Sequence, residues 1–239
     1  MQMELDGQRV VLLGGTSGIG FGAARIAAAH GAEVVVVSSR EENVRHTLDQ
    51  LPDSAWGDVA DFSDPDAIES VIGRIGRLDH LIYTAGEPLY ISPVEHLDIA
   101  VAREYFQIRF FGALAAAKAA RGRMPDTGSI IVTAGVAKDR PGFGWAGPAS
   151  ISGALEALTK ALAVEFAPVR VNCVAPGVIR SPLWQGTLHV EEMYQEIADT
   201  CLAGRVGEIE DVAKAYLYLM TQDYSTGMVL TVDGGLTLV

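Results

Sequence analysis

Basic residues are scarce in this chain: 18 Lys+Arg stand against 30 Asp+Glu, a formal charge of −12 over 239 residues. A general nucleic-acid binder needs a basic stripe to meet phosphates, and this balance excludes that class. Cysteine is scarcer still. Cys173 and Cys201 cannot build a disulfide framework, and Cys173 sits in an apolar run where a thiol packs as a small hydrophobe. The five histidines (His30, His46, His80, His96 and His189) show no metal-ligand spacing, so no metal is expected. No apolar run approaches the roughly 18 residues that span a bilayer. The first seven residues carry Glu4 and Asp6 and no basic stretch, unlike a signal peptide. A soluble, cytoplasmic protein with neither membrane nor nucleic-acid partner is expected.

Apolar residues make up 49% of the chain and charged ones 20%, a globular composition. A chain of this length buries roughly 70–75% of its unfolded surface, enough for one large core. Apolar, β-branched runs alternate with helical stretches from end to end. Strands are expected at residues 9–13, 33–37, 55–58, 78–84, 129–133, 169–174 and 228–232. Helices are expected at 21–30, from Ser63-Asp64-Pro65-Asp66 to about Gly73, and at 99–121, 148–166 and 208–220. Strands separated by helix-length crossovers imply a parallel sheet covered on both faces. No linker or repeat interrupts the period, so one doubly wound α/β domain over 1–239 is expected. Its least regular part, expected on the substrate side, is residues 181–207.

In such a sheet ligands bind beyond the carboxyl ends of the strands, at the topological switch point. The turn there is Gly14-Gly15-Thr16-Ser17-Gly18-Ile19-Gly20, directly after the first strand and opening a helix. Glycines allow a sharp turn and close approach to a pyrophosphate, and the helix N-terminus favours its charge. A glycine-rich turn without a ligand is the competing interpretation.

The spacing Gly14, Gly18, Gly20 resembles that of the short-chain dehydrogenase/reductase family. Later blocks carry the same resemblance. Asp58-Val59 is similar to the family's adenine-contacting pair, and Ala85-Gly86 to the end of its N-N-A-G stretch. Val171-Asn172-Cys173-Val174-Ala175-Pro176-Gly177 resembles its R-V-N-x-V-x-P-G, and Gly204-Arg205 and Val232-Asp233-Gly234-Gly235 its C-terminal signatures. The resemblance implies a seven-stranded Rossmann-type sheet, a nicotinamide cofactor, and Pro176, Gly177, Ile179 and Ser181 beside the nicotinamide. A homodimer or homotetramer is also expected, with the alanine-rich residues 113–120 against a symmetry mate.

The family's hydride exchange needs a proton at the substrate oxygen, supplied by a tyrosine with a lysine four residues on, a serine and an asparagine. Aligned through flanking blocks, the serine position is Gly135, the tyrosine Pro148, the lysine Ser152 and the asparagine Arg109. No Tyr-x-x-x-Lys occurs anywhere in the chain; Tyr105-x-x-x-Arg109 comes nearest. Candidates to act at the reaction centre are Arg109, Tyr83 and Ser152.

NAD-preferring relatives end the second strand with an acid. Here Ser38-Ser39-Arg40 stands instead, two hydroxyls and a guanidinium suited to a 2′-phosphate, so NADP(H) is the expected cofactor. Arg40 is otherwise a solvated loop arginine. The loop from Val136 to Trp145, with Lys138, Asp139 and Arg140, is expected to border a cleft with Trp184, Met193 and Tyr194. A small-molecule ligand, anionic or strongly polar at one end, is expected to meet Arg109, alone or with Lys138 or Arg140; the alternative is that Asp139 or a cofactor phosphate is the partner of Arg109. Three functions stay open: an atypical NADP(H)-dependent oxidoreductase with a non-standard proton donor, a cofactor-binding sensor or silent partner subunit, and a non-redox lyase or cyclase.

Overall fold

The structure, a computed structural model, describes residues 4–86 and 89–239; the start of the N-terminal segment, residues 1–3, lies outside them. Its central sheet has seven parallel strands in the order β3-β2-β1-β4-β5-β6-β9. They are β1 (Arg9–Leu13), β2 (Glu33–Ser38), β3 (Trp56–Val59), β4 (His80–Tyr83), β5 (Ser129–Thr133), β6 (Arg170–Pro176) and β9 (Val229–Val232). Helices α1 (Gly18–Ala29), α2 (Glu41–Leu48), α3 (Pro65–Ile75), α4 (Ile99–Phe106), α5 (Ala113–Arg121), α6 (Ala146–Glu165), α7 (Val190–Thr200) and α8 (Ile209–Thr221) accompany them, with the short strands β7 (Ile179–Arg180) and β8 (Gly207–Glu208) paired apart.

Both faces of the sheet are covered. That is why β1 and β2 read as continuous apolar runs: Val10, Val11, Leu12 and Leu13 are fully buried, as are Val35, Val36 and Val37. On one face α1 and α8 pack against Val10, Leu12, Val34 and Val36. On the other, Val11, Leu13, Leu81 and Ile130 meet α3, α5 and α6. Each such side chain contributes on the order of 1.5–3 kcal/mol when fully buried. The winding reverses between β1 and β4, which lie side by side with Val11 opposite Leu81 and Leu13 opposite Tyr83. This is the switch point, and the glycine turn stands directly above it.

Four features depart from the expectations. The helix expected at 99–121 is interrupted by a π turn, Gln107–Gly112. The Tyr83 hydroxyl donates to the carbonyl of Ile108 at 2.5 Å, and Gly112 makes room: a Cβ there would lie 2.2 Å from the phenol oxygen. A side chain inserted into the helical ladder in this way widens the turn. Second, Ala113, Ala116, Ala117, Ala119 and Ala120, expected at the surface against a symmetry mate, are buried within the chain's own core. Third, the segment expected to be irregular contains α7, whose Val190, Met193, Tyr194 and Ile197 form one apolar stripe packed with Trp184 and Val206. Fourth, α2 follows β2 and ties itself to the glycine turn through the Thr47 hydroxyl, which donates to the Thr16 carbonyl at 3.2 Å. No helix of the described residues is long and apolar enough to cross a membrane.

Candidate functional site

A cleft of about 630 Å³ opens at the carboxyl ends of the central strands. Its first wall is the glycine turn, where Gly14, Ser17, Gly18, Ile19 and Gly20 line the space. Gly14 has φ +91°, and a Cβ on it would lie 2.5 Å from the backbone nitrogen of Ala85. On Gly20 a Cβ would lie 2.3 Å from the Gly14 carbonyl oxygen and 2.4 Å from Thr84 Oγ1. The turn can therefore press against the end of β4 only with glycine at both places. Ser17 is the N-cap of α1, yet no side chain caps the first-turn amides and no acid stands among them. That leaves N–H groups and the positive end of the helix directed at the cleft, a fit for a phosphate or pyrophosphate.

Ala85 and Gly86, after β4, and Pro176, Gly177, Ile179 and Ser181, after β6, line the same cleft. Thr16 in the glycine turn, Ser38 as the last residue of β2, Ser39 and Arg40 just after it, and Asp58 and Val59 at the end of β3 stand outside its lining. Ser39 and Arg40 are exposed to solvent. Asp58 is already engaged: Arg74 Nε donates to its carboxylate at 2.9 Å and the Val59 N–H at 2.7 Å, and Arg74 holds the carboxyl below its usual range.

The four positions aligned with the family's serine, tyrosine, lysine and asparagine converge on the opposite wall. Gly135, Pro148, Ser152 and Arg109 all line the cleft. Ser152 Oγ donates to the Pro148 carbonyl at 2.9 Å, a bond back along its own helix. A Cβ on Gly135 would sit 3.7 Å from Ser152 Oγ, in ordinary contact. Arg109 projects from the π turn, its guanidinium 4.8 Å from the centroid of the Tyr105 ring and close against Gly86.

Three expected contributors are placed elsewhere. Tyr83 is 3% exposed, outside the lining, with its hydroxyl on Ile108; burial pushes its pKa well above that of a free phenol, so it is no proton donor to the cleft. Lys138 is drawn into an ion-pair cluster, 2.5 Å from Asp139 and 3.2 Å from the buried carboxylate of Glu156, and does not line the cleft. Asp139 is thereby paired with Lys138. Met193 and Tyr194 pack behind the mouth, with Arg180 over the Tyr194 ring at 4.2 Å, whereas Trp184 reaches the lining. Arg140 does line the cleft, and it donates to the carbonyl of Leu236, a C-terminal residue also in the lining.

Sequence inspection missed Leu89 and Leu236 as wall residues. It also missed the buried carboxylate of Glu156, a polar residue one helical turn beyond Ser152 on α6.

The family model described as enoyl-(acyl carrier protein) reductase matches residues 14–237. The short-chain dehydrogenase/reductase fsr5 of Gibberella fujikuroi is 32% identical over 98% of this chain and 96% of its own. The chain belongs to the short-chain dehydrogenase/reductase family. Among solved structures, the MalC reductase/Diels-Alderase of Malbranchea aurantiaca superposes with a TM-score of 0.92 at 29% identity, covering 100% of this chain and 99% of MalC. A small-chain dehydrogenase solved in complex with NADPH gives 0.84 at 32% identity, covering 98% and 100%. Its seven-stranded order is the family's Rossmann-type sheet.

Proposed function

We propose that the protein binds NADP(H) and acts as an atypical reductase in which no side chain at the family's usual positions delivers the proton. The uncapped α1 amides and the glycines at 14, 18 and 20 suit the pyrophosphate. Ser38, Ser39 and Arg40 suit a 2′-phosphate, and no carboxylate among them repels it. The NADPH complex of a relative 32% identical supports the choice of cofactor. When bound, the cofactor supplies or accepts the two electrons of the reaction.

The observation that carries the chemistry is the cleft wall itself: glycine, proline and a back-bonded serine stand where a general acid would be needed. Proline and glycine hold no proton. A guanidinium is a poor proton donor, yet one fixed in a partly apolar cleft, as on Arg109, stabilises negative charge as it develops on a substrate oxygen. Arg109 thus holds the oxyanion while water supplies the proton. Losing a positioned acid costs roughly 10²–10⁴-fold for ordinary carbonyls, so the substrate must be one that tolerates a long-lived anion.

A second reading is favoured by one comparison, the likeness to a reductase that is also a Diels-Alderase. Cycloaddition needs a shaped apolar wall and no proton transfer, and Pro148, Ile151 and Leu155 offer such a wall. At a hundred times its Kd NADPH should stabilise the fold by about 2.7 kcal/mol, and at equal concentration it should raise the melting temperature more than NADH. Equal shifts with both nucleotides contradict the NADP(H) assignment, and product formed without net change in cofactor favours cyclisation.

A further inference from the structure

Two indoles meet at the mouth of the cleft from separate parts of the chain. Trp145 comes from the loop leading into α6, and Trp184 from the turn Pro182–Trp184 after β7. Their ring centroids lie 6.5 Å apart at 43°, forming an aromatic corner rather than a stack. Both are fixed from behind: Trp184, Tyr194 and Val206 form a small core of their own, with Leu89 and Trp145 packed onto it. The loop is cut to the Trp145 ring, since a Cβ on Gly142 would lie 3.0 Å from Trp145 Cδ1.

The remaining walls are mostly apolar, broken by a few hydroxyls such as Ser152 and Thr200 and by Arg109. Pro148, Ile151 and Leu155 supply one side and Leu236 another. Three charged side chains reach the lining among the described residues: Glu196 is exposed, Arg140 is tied to the Leu236 carbonyl, and Arg109 lies half-buried over Tyr105. A polyol would need many paired hydroxyls, each costly to desolvate without a partner, and this wall does not provide them. A short aldehyde would leave the aromatic corner unfilled.

We infer that the substrate is a flat, fused-ring or extensively conjugated molecule bearing one oxygen group that is anionic or becomes so. The ring system seats on Trp145 and Trp184, and the oxygen group seats on Arg109. This rests on the proposal above that the glycine-turn side of the cleft holds the cofactor, and it names the substrate class for the other side. Delocalisation in such a molecule also spreads the charge that a missing acid leaves unquenched.

The test is calorimetric titration of the NADPH-saturated protein with three matched probes: 2-naphthoate, its methyl ester, and the saturated decahydro-2-naphthoate. The aromatic acid should bind roughly three- to tenfold tighter than the saturated acid. It should bind roughly ten- to a hundredfold tighter than the ester. Trp145→Phe, which keeps the packing, should retain most of the aromatic preference, and Trp184→Leu should remove it while sparing the acid preference. Arg109→Gln should do the reverse. Should Trp184→Leu unfold the small core, the three-probe comparison on the unaltered protein still decides. Equal binding of aromatic and saturated acids, or of acid and ester, overturns the inference. So does 2-naphthoate that competes with NADPH instead of joining it. Ternary binding with the stated preferences, alongside a weak NADPH melting shift, would contradict only the cofactor assignment.

Discussion

The two walls of the cleft are built from different material. The cofactor-side wall is backbone: glycines at φ values or separations that no other residue tolerates, and helix amides without a cap. The substrate-side wall is side chain: Pro148, Ser152, Arg109 and two indoles on loops and a π turn, with its outer rim held by exposed ion pairs such as Arg180–Glu191 and Arg205–Asp211. A backbone site changes only by rebuilding the turn, whereas a side-chain site is rewritten one residue at a time. That asymmetry lets one fold keep its ligand geometry while its chemistry is replaced.

The sharpest break of the comparison is a Cβ on each wall. Gly20→Val would drive its side chain into the Gly14 carbonyl at 2.3 Å and should lose roughly 3 kcal/mol of stability together with any NADPH-induced melting shift. Arg40→Ala, on the same side, should weaken NADPH by roughly 1.5–3 kcal/mol and leave NADH nearly unchanged, measured by titration of each nucleotide. Next comes the π turn. Tyr83→Phe removes the hydrogen bond to Ile108, should cost about 1 kcal/mol in denaturant unfolding, and should blunt the acid-over-ester preference carried by Arg109 without touching NADPH.

The rim gives a smaller, pH-dependent effect. Hydrogen bonds from Arg205 and the Glu208 N–H hold the Asp211 carboxyl at about 2 against an ordinary 3.8. A carboxyl depressed in the folded state contributes stability that is complete above the ordinary value and lost as pH falls toward the folded one. Between pH 4 and 2 the protein should therefore lose about 1 kcal/mol through this group, discounted for its partial exposure, and Asp211→Asn should erase that step in acid unfolding. Least of all, Gly135→Ser should alter stability by under roughly 0.5 kcal/mol, because its Cβ meets Ser152 Oγ only at 3.7 Å.

Local signals were legible in the sequence. β5 begins and ends where its β-branched run does, and the glycine turn announced itself by spacing alone. What escaped depends on distant partners or on weak patterns. Helix α2 buries only Val44 and Thr47, too little for a stripe. Helix α7 has its stripe, yet it starts without a side-chain cap after His189 at φ 57°. Tyr83 stood among the candidates for the reaction centre because its direction is set by Gly112, in the π turn of the crossover that follows β4. Lys138 read as a ligand-binding charge because its partner, Glu156, faces it from α6. That Gly135 and Pro148 hold no proton is, by contrast, legible from residue identity alone, since neither side chain needs geometry to be ruled out as an acid.

The most direct test is the steady-state oxidation of NADPH by the unaltered protein, at saturating nucleotide, across a panel of simple ketones and aldehydes. With glycine, proline, a back-bonded serine and an arginine at the four aligned positions, turnover should stay near background while the same sample shows a clear NADPH-induced melting shift. Vigorous turnover across the panel would contradict the account, for it would mean that the cleft holds a general acid that Gly135, Pro148, Ser152 and Arg109 do not supply.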